Sequence, residues 1–422
     1  MRSRFSRRDF LKFSAASAAL AAAGCATPSK ARVVVVGGGY GGATAAKYLR
    51  MWDPAIEVVM VERSDVFTSC PMSNLVLGGT RRIEEVRRRY DGLRAFGVQT
   101  VFDEATAVDP AKKIVRLARG GDLAYDRLIL SPGIDFQFGE IRGYEEAMRA
   151  GRVLHAWTAG AQTIELRRQL EQMRDGGVCV ISIPLVPYRC PPGPYERACQ
   201  IASYFKKAKP RSKVLVLDAN PDVTSKTGLF KRAWEDLYKG ILEYRGSARA
   251  VSVEKPGIVS LEVEDVKADV LNVVPPQRAG EIAIRAGVAD AGGRWCNVDW
   301  RTMESRAVKG IHVLGDATLS APGMPKSGSM ANQHAKICAA AIVALVNGQS
   351  PDPDPKIVNT CYSFVSDTEV IRVSSVHQWD ATQNTLVPVK GAGGLSAARN
   401  ELENRYAWAW ANAIWEDMGL RG

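Results

Sequence analysis

Apolar positions along this chain recur with two different periods. Short continuous runs rich in β-branched residues occur at 33–36, 57–61, 178–183, 213–217, 270–274 and 311–317. Uninterrupted runs of that kind predict strands of a parallel sheet buried on both faces. Between them lie longer stretches with helical spacing, at 43–49, 81–97, 161–173, 195–208 and 329–346. Further strands are expected near 98–102, 112–117 and 125–130. Strands alternating with helices predict an α/β chain with two Rossmann-type units. The pattern divides into 31–150, 151–268, a return to the first unit at 269–350, and a C-terminal α+β unit at 351–422. Ser350-Pro351-Asp352-Pro353-Asp354-Pro355 is the linker into that last unit, which should hold a hairpin and a terminal helix. Leu402, Tyr406, Trp410 and Ile414 repeat every four residues on that helix and are expected to pack into the core.

The first strand runs into Gly37-Gly38-Gly39-Tyr40-Gly41-Gly42, so Gly37, Gly39 and Gly42 stand at G-x-G-x-x-G spacing. The first should make a tight turn, the second should admit a pyrophosphate, and the third should let the helix close on the strand. The helix N-terminus would then offer free N–H groups to the phosphates. Glu62 ends the second strand, twenty residues after Gly42, where its carboxylate can accept ribose hydroxyls. Gly315-Asp316 closes a late strand, and that carboxylate suits the ribityl hydroxyls of a flavin. The two motifs together favour FAD over NAD. Lys326, just before the helix at 329–346, is expected to stabilise the anionic reduced ring.

A second nucleotide unit would ordinarily repeat the glycine motif after its first strand. Residues 184–197 instead read PLVPYRCPPGPYER. Prolines fix φ and remove N–H donors, so this loop should not cradle a second pyrophosphate. NAD(P)H is therefore not the expected electron donor.

Composition alters the picture only at the N-terminus. Ser6-Arg7-Arg8-Asp9-Phe10-Leu11-Lys12 followed by a weakly apolar run is a twin-arginine export pattern, and eleven residues are too few to span a bilayer, which takes about 20. Residues 1–30 form the signal, Ala23-Gly24-Cys25 hints at lipidation at Cys25, and membrane contact is otherwise not expected. The net charge is +11. Six basic residues against Asp9 make the signal +5, which leaves +6 on the remainder. The basic residues are scattered, with Arg87-Arg88-Arg89 read as a solvated helix face, and a nucleic-acid partner is excluded.

Taken together, Gly37–Leu49, Cys70-Pro71-Met72-Ser73-Asn74, the loop Arg189-Cys190 to Arg197, Pro275-Pro276-Gln277-Arg278, Met324-Pro325-Lys326-Ser327-Gly328 and Asn359-Thr360-Cys361-Tyr362-Ser363 resemble the flavoprotein subunit of flavocytochrome c sulfide dehydrogenase. The resemblance implies a glutathione-reductase-like fold and bound FAD. It also implies oxidation of sulfide in the periplasm, with electrons passed to a c-type cytochrome. No C-x-x-C-H occurs here, so that haem is expected on a separate subunit. Cys70 matches the position of covalent flavin attachment. Seven cysteines follow the signal, and composition favours none of the possible pairs; the resemblance points to Cys190–Cys361 as a redox disulfide, with Glu196 as acid/base. Cys179, Cys199, Cys296 and Cys338 have no assigned role. Three other functions fit the same residues: reactivation of the sulfur carrier of a thiosulfate-oxidising system, sulfide:quinone oxidoreduction, and a non-catalytic redox subunit docking a cytochrome.

Overall fold

The structure is a computed structural model and describes residues 29–422. The twin-arginine segment and Cys25 lie outside the described residues. The strand Ala31–Val36 lies inside a seven-stranded sheet, with Ile56–Glu62 and then Gln99–Phe102 on one side. Arg127–Leu130 and then Ile311–Val313 lie on the other side, and these five strands are parallel. Val33, Val34 and Val35 are fully buried, as expected of a strand covered on both faces. The helix Gly42–Trp52 packs on this sheet, and the long helix Gly328–Val346 packs against it in turn. The chain runs from the first strand to Ile56–Glu62 on one side and comes back to Arg127–Leu130 on the other, so a crevice opens beyond its C-terminal end, where open α/β sheets bind ligands.

A second parallel sheet has the order Leu242–Arg245, Lys213–Asp218, Val178–Ile183, Val270–Val273. The helix Gly193–Ala208 covers one face and is buried along most of its length. The C-terminal region is a three-stranded antiparallel sheet, Lys356–Phe364, Val370–Asp380 and Thr385–Leu395, rather than a hairpin. It is tied to both other parts. Ser327 Oγ donates to Asn359 Oδ1 at 2.9 Å, and Gln200 Nε2 donates to Phe364 O at 3.2 Å.

Two local expectations are corrected. The arginine-rich stretch 81–97 is a short 3-10 turn, Ile83–Val86, a strand, Arg87–Arg89, and one helical turn, Asp91–Arg94. Arg87–Arg89 pairs with Val66–Thr68, and Arg88 lies 3.9 Å from the centroid of the Trp415 ring. Tertiary partners override helix propensity there, because the pairing satisfies the backbone and the ring takes the guanidinium. On the terminal helix Leu402–Asp417, the buried residues are Glu403, Ala407, Ala411, Ile414 and Trp415, whereas Leu402 and Tyr406 are half-exposed. Two alanines let the helix approach the sheet closely, and Glu403 is held inside by Ser396 at 2.5 Å and Arg372 at 3.6 Å.

Candidate active site

A cavity of about 610 Å³ runs from the glycine turn to the edge of the second unit and on to the C-terminal sheet. At its first end the three glycines differ as their spacing predicts. Gly37 has φ +98°, and a Cβ there would sit 2.3 Å from Ser131 O. A Cβ on Gly42 would lie 1.8 Å from Gly37 O, so only hydrogen permits this approach of helix to turn. Gly39 would meet nothing within 4 Å and faces the open cavity. The helix Gly42–Trp52 has no side-chain cap and no acidic residue in its first turn, which leaves N–H groups free for an anion. Glu62 lines this end and accepts from Gly38 N and Arg63 N, both at 2.7 Å.

Farther along, the turn Gly315–Ala317 presents Asp316 to the cavity. Burial raises its carboxyl pKa, and Oδ1 has no hydrogen-bond partner. A buried, unpartnered carboxylate oxygen at a cavity wall calls for a donor such as a sugar-chain hydroxyl. Lys326 is placed differently from the expectation. It does not line the cavity; its ammonium donates to Asp316 O at 3.0 Å and to Thr318 O, and rests 3.8 Å from the Trp295 centroid. Burial lowers its pKa to about 8. It braces the turn that carries Asp316, because an ammonium inside the fold must find acceptors and two carbonyls are offered there.

At the far end the proline loop delivers Cys190, which lies in the left-handed region at φ +58°. Its N–H donates to Lys326 O at 2.8 Å, and its carbonyl accepts from Gly193 N at 2.8 Å. A non-glycine residue in this region is strained and persists only when its surroundings fix it. Cys361, on the strand Lys356–Phe364, lines the same cavity, as do Cys70 and Glu196. Cys190 and Cys361 are both thiols in this structure, so the expected residues converge without a bond between them. Burial pushes the Cys190 thiol well up, and Cys361 and Glu196 add to the effect; Cys361 is also raised, by burial, with Lys226 opposing. Cys70 Sγ lies 3.6 Å from Trp157 O.

Glu196 sits in the first turn of the helix Gly193–Ala208, where a solvated carboxylate would merely complement the dipole. Here it is buried. Burial raises its pKa to about 7, against the opposing pull of Lys226, the Phe364 N–H at 3.4 Å, Asn74 and Arg197. A carboxyl poised near neutrality beside two cysteines is suited to proton transfer.

Three comparisons bear on this arrangement. Residues 163–275 match the family model "Sulfide dehydrogenase [flavocytochrome c] flavoprotein chain, central", and 353–418 match "Flavocytochrome c sulphide dehydrogenase, flavin-binding". Residues 31–168 match the pyridine nucleotide-disulphide oxidoreductase model. The sulfide dehydrogenase flavoprotein chain of Chlorobaculum thiosulfatiphilum is 62% identical over 45 residues, which is 11% of this chain and 94% of that one. The chain belongs to the flavocytochrome c sulfide dehydrogenase flavoprotein family. It is thus a flavoprotein of a sulfide-oxidising oxidoreductase family, and its FAD fits the residues present: the open face at Gly39, the uncapped helix and the orphaned Asp316 oxygen. Residues 4–24 match a twin-arginine signal sequence, which directs export to the periplasm. Mitochondrial sulfide:quinone oxidoreductase of Mus musculus is 26% identical over 70% of this chain and 67% of its own length. The solved sulfide:quinone oxidoreductase of Aquifex aeolicus superposes with a TM-score of 0.77 at 21% identity, covering 92% of this chain and 91% of that one, and shares the fold.

In this family member two buried cations that the sequence did not single out lie near the cysteines, Arg197 on the cavity wall and Lys226 outside its lining. Arg197 is buried, with its guanidinium bound to Asn74 Oδ1, Asn272 Oδ1 and the His155 and Ala156 carbonyls at 2.7–3.1 Å. It follows Glu196 directly, so the same motif contained it. Lys226 is buried with its ammonium 3.0 Å from Cys361 O and 2.8 Å from Ser363 Oγ; no motif marked it. Cys179, Cys199, Cys296 and Cys338 are all buried away from the cavity and held protonated by burial.

Proposed function

We propose that this chain oxidises hydrosulfide through a Cys190–Cys361 disulfide, with FAD attached through Cys70, and passes the electrons to haem on a separate c-type cytochrome chain. The observation that carries the reading is the meeting of Cys190, Cys361 and Glu196 at one end of a cavity whose other end is a dinucleotide cradle. Hydrosulfide attacks one sulfur of the oxidised pair. A new S–S bond forms as a persulfide, the Cys190–Cys361 bond breaks, and the other cysteine leaves as a thiolate. Glu196 in its carboxylate form takes the proton of the persulfide, and the strained backbone at Cys190 fixes that sulfur for attack. Buried Arg197 and Lys226 make this end attractive to an anion. When bound, the flavin supplies a two-electron acceptor that can return electrons one at a time. Asp316, Glu62 and the glycine turn would hold it, and Lys326 would keep the Asp316 turn in place.

The test is anaerobic mixing of the holoprotein with sulfide while the oxidised flavin absorbance is followed. Bleaching is expected, and its absence rules out the enzyme reading in favour of a redox subunit that only docks a cytochrome. Adding cytochrome c or a quinone to the bleached protein then identifies the acceptor. Quinone is the second reading, favoured by the half-exposed Leu402 and Tyr406 on the terminal helix and by the similarity to the sulfide:quinone oxidoreductases. Among the described residues no helix is long and apolar enough to cross a membrane.

A further inference from the structure

Two cations are buried beside the cysteine pair, and their placement is not symmetrical: Arg197 lines the cavity, whereas Lys226 does not. Arg197 spends its guanidinium on two amide oxygens and two carbonyls, and its Cζ lies over the Trp157 ring, 4.8 Å from the centroid. Cys70, Cys190, Glu196 and Cys179 all lie within its field. Lys226 lies on the Cys361 side. Its ammonium donates to Cys361 O at 3.0 Å, Ser363 Oγ at 2.8 Å and Ile371 O at 3.5 Å. All three partners are neutral, and no carboxylate lies within ion-pair distance of Lys226 among the described residues. It stands at φ +55° just before the helix Thr227–Tyr238. A strained backbone and an unpaired buried ammonium are both costly. A neutral donor could hold the same oxygens at lower cost, so a role as an anchor alone leaves the charge unexplained.

We propose that Lys226 is the counter-charge of the cysteine pair: it stabilises the Cys361 thiolate, so that Cys361 is the sulfur that leaves while Cys190 receives the incoming sulfur. This rests on the sulfide-oxidation reading above. As the S–S bond from hydrosulfide to Cys190 forms, the Cys190–Cys361 bond breaks and its electron pair goes to Cys361 Sγ, on the residue whose carbonyl binds the ammonium. The hydrosulfide proton remains on the persulfide until Glu196 takes it. A nearby lysine favours thiolate over thiol, which makes a better leaving group. The ionisable groups facing Cys361 are Lys226 and Glu196, and those facing Lys226 are Cys361, Cys190, Glu196 and Glu403. Arg189 also faces Cys190.

Alkylation of the chemically reduced holoprotein tests the charge without using sulfide. Iodoacetamide is applied across a pH series, and the peptides carrying Cys361 and Cys190 are quantified by mass spectrometry. Lys226→Met is expected to raise the midpoint of Cys361 alkylation by about one pH unit, roughly a tenfold loss of thiolate at a given pH. Cys190 should move less, and Lys226→Arg should restore the wild-type midpoint. Removing the lysine also drives Glu196 towards neutrality, so the same comparison in a Glu196→Gln background reads the lysine alone. Ser363→Ala removes one anchor and keeps the charge, and should leave the midpoint unchanged; it also serves if Lys226→Met does not fold. An unmoved Cys361 midpoint in folded Lys226→Met, or a Ser363→Ala shift of a full unit, overturns the proposal. If wild-type protein is not bleached by sulfide yet the lysine effect persists, only the sulfide reading fails.

Discussion

Replacing Glu196 by glutamine gives the most exacting check on the site, because one substitution should move activity and stability in opposite directions. The carboxyl is buried, and its pKa rises from 4.5 to about 7, chiefly by burial. Each unit corresponds to about 1.4 kcal/mol, so burying the ionised form costs on the order of 3 kcal/mol. A folded-state pKa above the unfolded one means that the native protein binds the extra proton. Stability from this group is therefore fully present below pH 4.5 and is lost as pH rises through 7. Glu196→Gln removes that loss. It should unfold with nearly wild-type stability at pH 5 and be more stable at pH 8, by up to about 3 kcal/mol. Its activity should fall, since general bases contribute about 10²–10⁴-fold. Stopped-flow bleaching by sulfide measures this, and the wild-type-to-variant rate ratio cancels the ionisation of sulfide itself. That ratio should be about 100 or more at pH 8 and fall about tenfold for each unit below pH 7. A ratio that stays flat between pH 6 and 8, or a variant as fast as wild type, refutes the assignment of Glu196 as base.

Other outcomes follow from single contacts. Gly39→Ala points a methyl into open cavity and should fold yet lose FAD, whereas Gly42→Ala drives a methyl into Gly37 O at 1.8 Å and should reduce soluble protein, as thermal melts and flavin spectra would show. Cys361→Ser should retain FAD and lose sulfide-driven bleaching; bleaching at the wild-type rate removes this cysteine from the mechanism. Acid precipitation should leave a yellow pellet from wild type and a colourless one from Cys70→Ser, and a colourless wild-type pellet ends the covalent assignment. Lys326→Met should weaken FAD retention in a Cys70→Ser background through the Asp316 turn, measured by dilution and ultrafiltration, and unchanged retention would deny it that bracing role.

The glycine turn, the strand that feeds it and Glu62 were legible because their chemistry is local. Tight turning, close helix approach and buried β-strand character each impose a residue type at a fixed spacing along a few consecutive positions. The same holds for Asp316 at the end of its strand and for the proline loop that displaces a second phosphate site. Export, too, is written in consecutive residues. The family resemblance supplied Cys190, Cys361 and Glu196 as a set. Only the tertiary structure brought Cys361 from a C-terminal strand to a cavity built by two preceding sheets. Lys226 and Arg197 acquire their meaning only from neighbours far away in sequence, since a lysine is costly or cheap according to what buries it. The ammonium of Lys326 turned to carbonyls behind the cavity, and the terminal helix buried its alanines in place of Leu402 and Tyr406. Arg87–Arg89 became a strand because a partner edge and the Trp415 ring were present to receive it. In each case the deciding energy is the burial of charge or the fit of one surface to another, and it exists only once distant segments have met.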